Sequence, residues 1–185
     1  MTVFIGPCLA KKAEAREEDI RDAVDFVLTF REVQDLFAFA KLRPETLEED
    51  EKEHSSAAGR IYAKTGGVSR AVQASVKRLR PHDPIQVHAV QADGVPGCRA
   101  LLERLQKGEI SANFLEGMGC VGGCVGGPKR LIAREEGALH VAHYGEAAPV
   151  RTPVDNPYVM ELLHRLGYES VESLTQEDTM FRRQF

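Results

Sequence analysis

The 185 residues make up about one domain, 43% hydrophobic and 28% charged with no tryptophan, which excludes a disordered or fibrous chain. A formal net charge of -4 argues against a surface that tracks nucleic-acid phosphates. No apolar run approaches the roughly 18–20 residues of a membrane helix, and the opening MTVFIGPCLA lacks a basic secretory start, so the chain reads as cytoplasmic, with no nucleic acid and no membrane among its partners.

In chain order, residues 2–5 are β-branched and aromatic and break at Gly6-Pro7, predicting a buried strand that delivers Cys8 to a loop. A strand this early suggests one lobe of something larger. Residues 25–30 (DFVLTF) read as a second strand. Val33, Leu36, Phe37 and Ala40 then mark an amphipathic helix ending before Pro44. The acidic run 45–53 reads as a solvated surface segment. Val68, Val72, Val76 and Leu79 predict a helix running to about Arg80, stopped by Pro81 and Pro84. Residues 85–90 (IQVHAV) alternate as a half-buried strand does, Leu101, Leu102 and Leu105 anchor another helix, and residues 112–115 start a short strand ending at Met118. From Val125 the pattern turns helical through Leu131 and Ile132, with Gly145 and Pro149 punctuating a loop. Asn156 before Pro157 is an N-cap for a last helix carrying Val159, Leu162, Leu163 and Leu166. The alternation predicts an α/β lobe: a small sheet of about four strands flanked by helices.

Four cysteines, Cys8, Cys98, Cys120 and Cys124, are too few and too unevenly spaced for a disulfide scaffold. The strongest local signal is FLEGMGCVGGCVGGPKR, residues 114–130, where Cys120 and Cys124 sit among two Gly-Gly pairs. Glycine lets a bulky object approach the main chain while two thiolates point at it. A Gly-rich turn with incidental cysteines is the plainer alternative. Cys8, followed by Lys11 and Glu14, reads either as a partner of that pair or as a reactive thiol of lowered pKa. Zinc is a third option, without its usual Cys-x2-Cys pairs. His140 and His143 read as plain surface, and Cys98 as structural.

The segments FIGPCLAKKAE, GRIYAKTGGVSRAV and FLEGMGCVGGCVGGPKR, with DFVLTFREVQDLF and DNPYVMELLHRLG, resemble in order and spacing the C-terminal half of the catalytic domain of iron-only hydrogenases. The resemblance covers nearly the whole chain and implies one C-terminal lobe over residues 1–185. It also implies an oxidoreductase of anaerobic hydrogen metabolism that reversibly reduces protons to H2. In that family a 4Fe-4S cubane is joined to a di-iron subsite bearing CO and cyanide, together the H-cluster. By position, Cys8 and Cys120 are terminal cubane ligands and Cys124 the bridging thiolate. Lys11 is the donor to a cyanide, and Met118 packs beside the di-iron site. Glu14 belongs to the second signature, and Tyr62 stands where the family has an aromatic residue near the cubane.

Departures accompany the likeness. The family's Thr-Ser-Cys-Cys-Pro-like signature, which carries the fourth ligand and the proton-relay cysteine, has no counterpart here. Gly6 stands for a usual methionine and Val121 for a usual proline. The implied partners are therefore the N-terminal half of the catalytic domain and a ferredoxin-like electron donor. The competing readings are a non-catalytic iron–sulfur sensor or electron carrier, and a truncated lobe that binds nothing.

Overall fold

The computed structural model describes residues 1–49, 54–82 and 86–175. Its first unit is β1 (Val3–Gly6), α1 (Ala10–Glu14), β2 (Phe26–Thr29) and α2 (Phe30–Phe39), with β1 and β2 parallel and Val3 opposite Phe26. Parallel pairing needs a crossover, and α1 provides it. Strand β2 runs straight into α2 because Thr29 serves both: its hydroxyl accepts from the Glu32 amide, while the Glu32 carboxylate accepts from the Thr29 amide. From α1, Lys12 donates to that same carboxylate at 2.9 Å and to the Val27 carbonyl at 3.0 Å, tying crossover, strand and helix together.

A helical layer follows: α3 (Ala57–Arg60) packs on α4 (Gly67–Leu79) and on the later α6 (Arg134–Glu146). Its interior is small and polar. Ala58 and Ala71 are buried beside Ser69 and Arg60. The Arg60 guanidinium is satisfied by the Ser55 hydroxyl, the Tyr144 carbonyl and the Tyr144 ring face 4.0 Å away. The second parallel pair is β3 (Ala89–Asp93), α5 (Gly94–Gln106) and β4 (Phe114–Met118), with Ala89 opposite Phe114 and Asp93 opposite Met118. The last helix, α7 (Pro157–Arg165), opens as its sequence dictates: Asn156 Oδ1 accepts from the Tyr158 amide with Pro157 in the first turn, and Asn156 Nδ2 reaches back to the His54 carbonyl.

The class is the expected α/β lobe of short strands and flanking helices, and the four strands among the described residues pair two by two, as β1-β2 and β3-β4. Four local expectations are corrected. The first strand, expected to be buried, is exposed at Val3, Phe4 and Ile5 and buried only at Gly6. The third strand lies at 89–93 rather than 85–90, because its ladder follows β4 out to Met118; Pro84 and Ile85 fall outside the described residues. The helix expected from Val125 starts at Arg134, since Gly126-Gly127-Pro128 permits only a single tight turn at Cys124–Gly126. Gly145 lies inside α6 rather than in a loop, packed so closely on Ile61 that a Cβ would come within 2.6 Å of it. The acidic run is exposed through Glu49, and its remainder lies outside the described residues. No described helix is long and apolar enough to cross a membrane.

Candidate metal centre

Both ends of the candidate site hang on strand ends, where α/β folds offer backbone to ligands. Strand β1 stops at Pro7, which places Cys8 at the β1–α1 junction. Strand β4 ends at Met118, and Cys120 follows in a turn closed by the Gly123 amide on the Cys120 carbonyl at 3.0 Å. The two chain segments are then stitched together, because the Lys129 amide donates to the Pro7 carbonyl at 3.0 Å.

The glycines are what let this loop lie so close to its neighbours. At Gly123 the backbone has φ +87°, and a Cβ would come within 2.7 Å of the Thr65 nitrogen and 2.9 Å of Lys64 Cα. At Gly127 a Cβ would meet the Pro7 carbonyl oxygen at 2.7 Å. A side chain at either position would push the cysteine loop off its seat.

The Cys124 thiol lies within electrostatic reach of both Cys8 and Cys120. Surrounding protein pushes the Cys124 thiol above its ordinary pKa, the neighbouring Cys8 and Cys120 add to the rise, and the Lys11 ammonium opposes it. Cys124 nevertheless reaches the surface, whereas Cys8 and Cys120 are half-buried. Cys98 stands apart from this group: from α5 its thiol donates to the Ala92 and Met118 carbonyls, so it braces the ends of β3 and β4.

Lys11 forms a short ion pair with Glu14 one turn on, and its ammonium sits 5.8 Å from the Phe4 ring centre. An ammonium has three donors, so Glu14 leaves others for a further acceptor. Tyr62 lies in the tight turn Ile61–Ala63 just before the Gly66-Gly67 pair, about half exposed. His140 and His143 are exposed, as their sequence predicts, and His140 borders an apolar cavity of about 390 Å³ lined also by Cys124, Pro7, Phe30, Ile132 and Val141.

Two carboxylates brace the loop's surroundings and were not singled out from sequence. Glu116 on β4 is buried and accepts from the Gly66 and Ser69 amides and the Ser69 hydroxyl. Asp93 at the end of β3 accepts from the Thr65 hydroxyl and the Gly122 amide.

Among the described residues no three His, Cys, Asp or Glu side chains are gathered tightly enough to hold a single metal ion. The donor set therefore argues against a mononuclear zinc site. Cys120 and Cys124 lie on the glycine-lined loop and Cys8 on the segment stitched to it.

Comparison with known proteins places this geometry in context. A family model described as "Iron only hydrogenase large subunit, C-terminal domain" matches residues 1–128. Iron hydrogenase 1 of Clostridium pasteurianum is 29% identical over 159 residues, covering 68% of this chain and 28% of that one. The NADP-reducing hydrogenase subunit HndD of Solidesulfovibrio fructosivorans is 26% identical, covering 89% of this chain and 34% of its own length. The chain thus spans about a third of the length of these curated relatives. The fold superposes on the apo FeFe hydrogenase HydA1 of Chlamydomonas reinhardtii with a TM-score of 0.62 at 19% identity, covering 90% of this chain and 59% of that one. An FeFe hydrogenase HydA structure concerned with stepwise H-cluster assembly gives 0.63 at 20% identity over the same shares. At these identities the structural likeness speaks for the fold alone.

Proposed function

The chain belongs to the iron-only hydrogenase family, matching the C-terminal domain of its large subunits, and on that premise we propose that residues 1–185 form one lobe carrying three of the four cysteines of an H-cluster. The observation that supports this best is that Cys124 lies within electrostatic reach of both Cys8 and Cys120, on two segments stitched together at Pro7. In this reading Cys8 and Cys120 hold corners of a 4Fe-4S cubane and Cys124 is the thiolate shared with a di-iron subsite bearing CO and cyanide. When bound, the cluster supplies the electron chemistry that joins two protons into H2.

The chain's own residues then do the following. Lys11, already near Cys124 and steered by Glu14, offers an ammonium N–H to an anionic cyanide as a charge-assisted donor. Met118, at the end of β4, would pack against the subsite, and Tyr62, in the turn Ile61–Ala63, against the cubane side. The fourth cubane thiolate and the proton-relay cysteine come from the N-terminal half of the catalytic domain. Electrons come from a ferredoxin-like donor in the cytoplasm.

The surface position of Cys124 favours a second reading, a simple cubane completed by an external ligand in a non-catalytic redox protein. Infrared spectroscopy separates the two. After anaerobic maturation of this chain with an N-terminal half, the first reading expects stretching bands of metal-bound CO and cyanide. A cubane signal without those bands would overturn it in favour of the second.

A further inference from the structure

Three stretches of chain far apart in sequence meet at one oxygen atom. Asp93 Oδ2 accepts from the Thr65 hydroxyl at 2.9 Å and from the Gly122 amide at 2.8 Å, while the Thr65 amide donates to the Gly122 carbonyl at 3.1 Å. The hydrogen bonds close a ring through the end of β3, the turn before α4, and the cysteine loop. Asp93 is also the N-cap residue of α5, yet its side chain makes no hydrogen bond to its own helix. An aspartate there ordinarily caps the helix start, and here its acceptor is directed across the fold instead. The same junction carries packing as well as polarity: a Cβ at Gly94 would sit 3.0 Å from Val121 Cγ2. Gly122 lies between Cys120 and Cys124, inside the turn closed by the Gly123 amide on the Cys120 carbonyl.

The geometry assigns Asp93 as a positioning residue for the cysteine loop: one carboxylate oxygen fixes the turn from which Cys120 and Cys124 project, and so sets their spacing. This rests on the reading of those cysteines as cluster ligands only for its purpose; the clamp itself belongs to the chain without any cluster.

The test is therefore made on the full chain before cluster loading, with the Gly122 amide followed by hydrogen exchange and the Cys120 thiol by maleimide labelling. Asp93→Ala is expected to speed both about tenfold, equivalent to 1.4 kcal/mol, with Cys8 labelling unchanged. In Asp93→Asn the amide oxygen can accept both donors, and both rates are expected to return close to the starting values. Thr65→Val, which removes one donor and keeps the carboxylate, is expected to fall between and serves if Asp93→Ala does not fold. Unchanged Gly122 exchange in Asp93→Ala and Thr65→Val would overturn the assignment. So would an equal rise at Cys8, which marks general loosening, or an Asp93→Asn variant as loose as the alanine. None of these results depends on cluster uptake, so failure of the clamp and failure of the hydrogenase reading are separately visible.

Discussion

The two adjacent lysines of the second signature have different duties. Lys12 is committed to the fold, bonded to Glu32 and the Val27 carbonyl, whereas Lys11 is paired with Glu14 on its own helix and lies within electrostatic reach of Cys124. Spacing and composition present them as equivalent neighbours and only the family resemblance singles out Lys11, because the acceptors that commit Lys12 to the fold come from residues 27 and 32. Lys12→Met is therefore expected to lower the thermal midpoint by several degrees, and Lys11→Met to leave it nearly unchanged, by calorimetry on the apo chain. With the N-terminal half present, Lys11→Met is expected to abolish or shift the CO and cyanide infrared bands. Acid carries a matching signature. The Thr29 amide, the Lys12 ammonium and the Thr29 hydroxyl pull the Glu32 carboxyl down from the usual 4.5 to about 2. A carboxyl lowered on folding contributes stability above its unfolded pKa and loses it as pH falls through the folded value. The contribution is full above about pH 4.5 and disappears toward pH 2. Urea midpoints of Glu32→Gln and wild type are expected to converge across that interval and to separate above it.

At the level of elements, local chemistry that acts within a few residues was readable and chemistry that needs a distant partner was not. The Asn-Pro start of α7 and the end of α2 before Pro44 are where their sequences predict. The alternation over residues 85–90 identified a strand but not its register, because the ladder is set by β4, more than twenty residues on. The cysteine spacing and its glycines made the loop legible, while Glu116 and Asp93, which brace it, look in sequence like any acidic residues. Glu116 is the stronger case for stability. It is 4% exposed and satisfies three donors around the start of α4. Glu116→Ala leaves those donors facing a void and is expected to cost on the order of 3 kcal/mol, read as a lower urea midpoint. Glu116→Gln keeps one acceptor and is expected to cost less.

Across the whole molecule, the two strand pairs differ in how well they are covered, and the difference bears on what the lobe needs. Parallel strands are ordinarily buried on both faces, yet Ile5 is 51% and Phe26 57% exposed, and the groove formed by Phe30, Val33, Phe37, Leu42 and Leu131 lies open beside them. The groove shares Phe30 and Leu131 with the apolar cavity beside Cys124. The surface next to the proposed centre is thus apolar and uncovered, and three cysteines leave a cubane one thiolate short. Both shortfalls lie on the same side of the molecule. The 185-residue chain matured alone is accordingly expected to evolve no H2 and to bind a hydrophobic dye such as ANS strongly. Mixed with a polypeptide bearing the N-terminal half of the catalytic domain, it is expected to lose dye fluorescence and gain activity together, in one titration with one stoichiometric break. Phe30→Asp, at the junction of groove and cavity and remote from the proposed ligands in sequence, is expected to weaken that association by about tenfold or more, since burying an unpaired charge costs several kcal/mol. H2 evolution by the chain alone would show that the fourth thiolate and the proton relay are not required from outside. Loss of dye binding without activity would show that the face is covered by a partner that does not complete the centre.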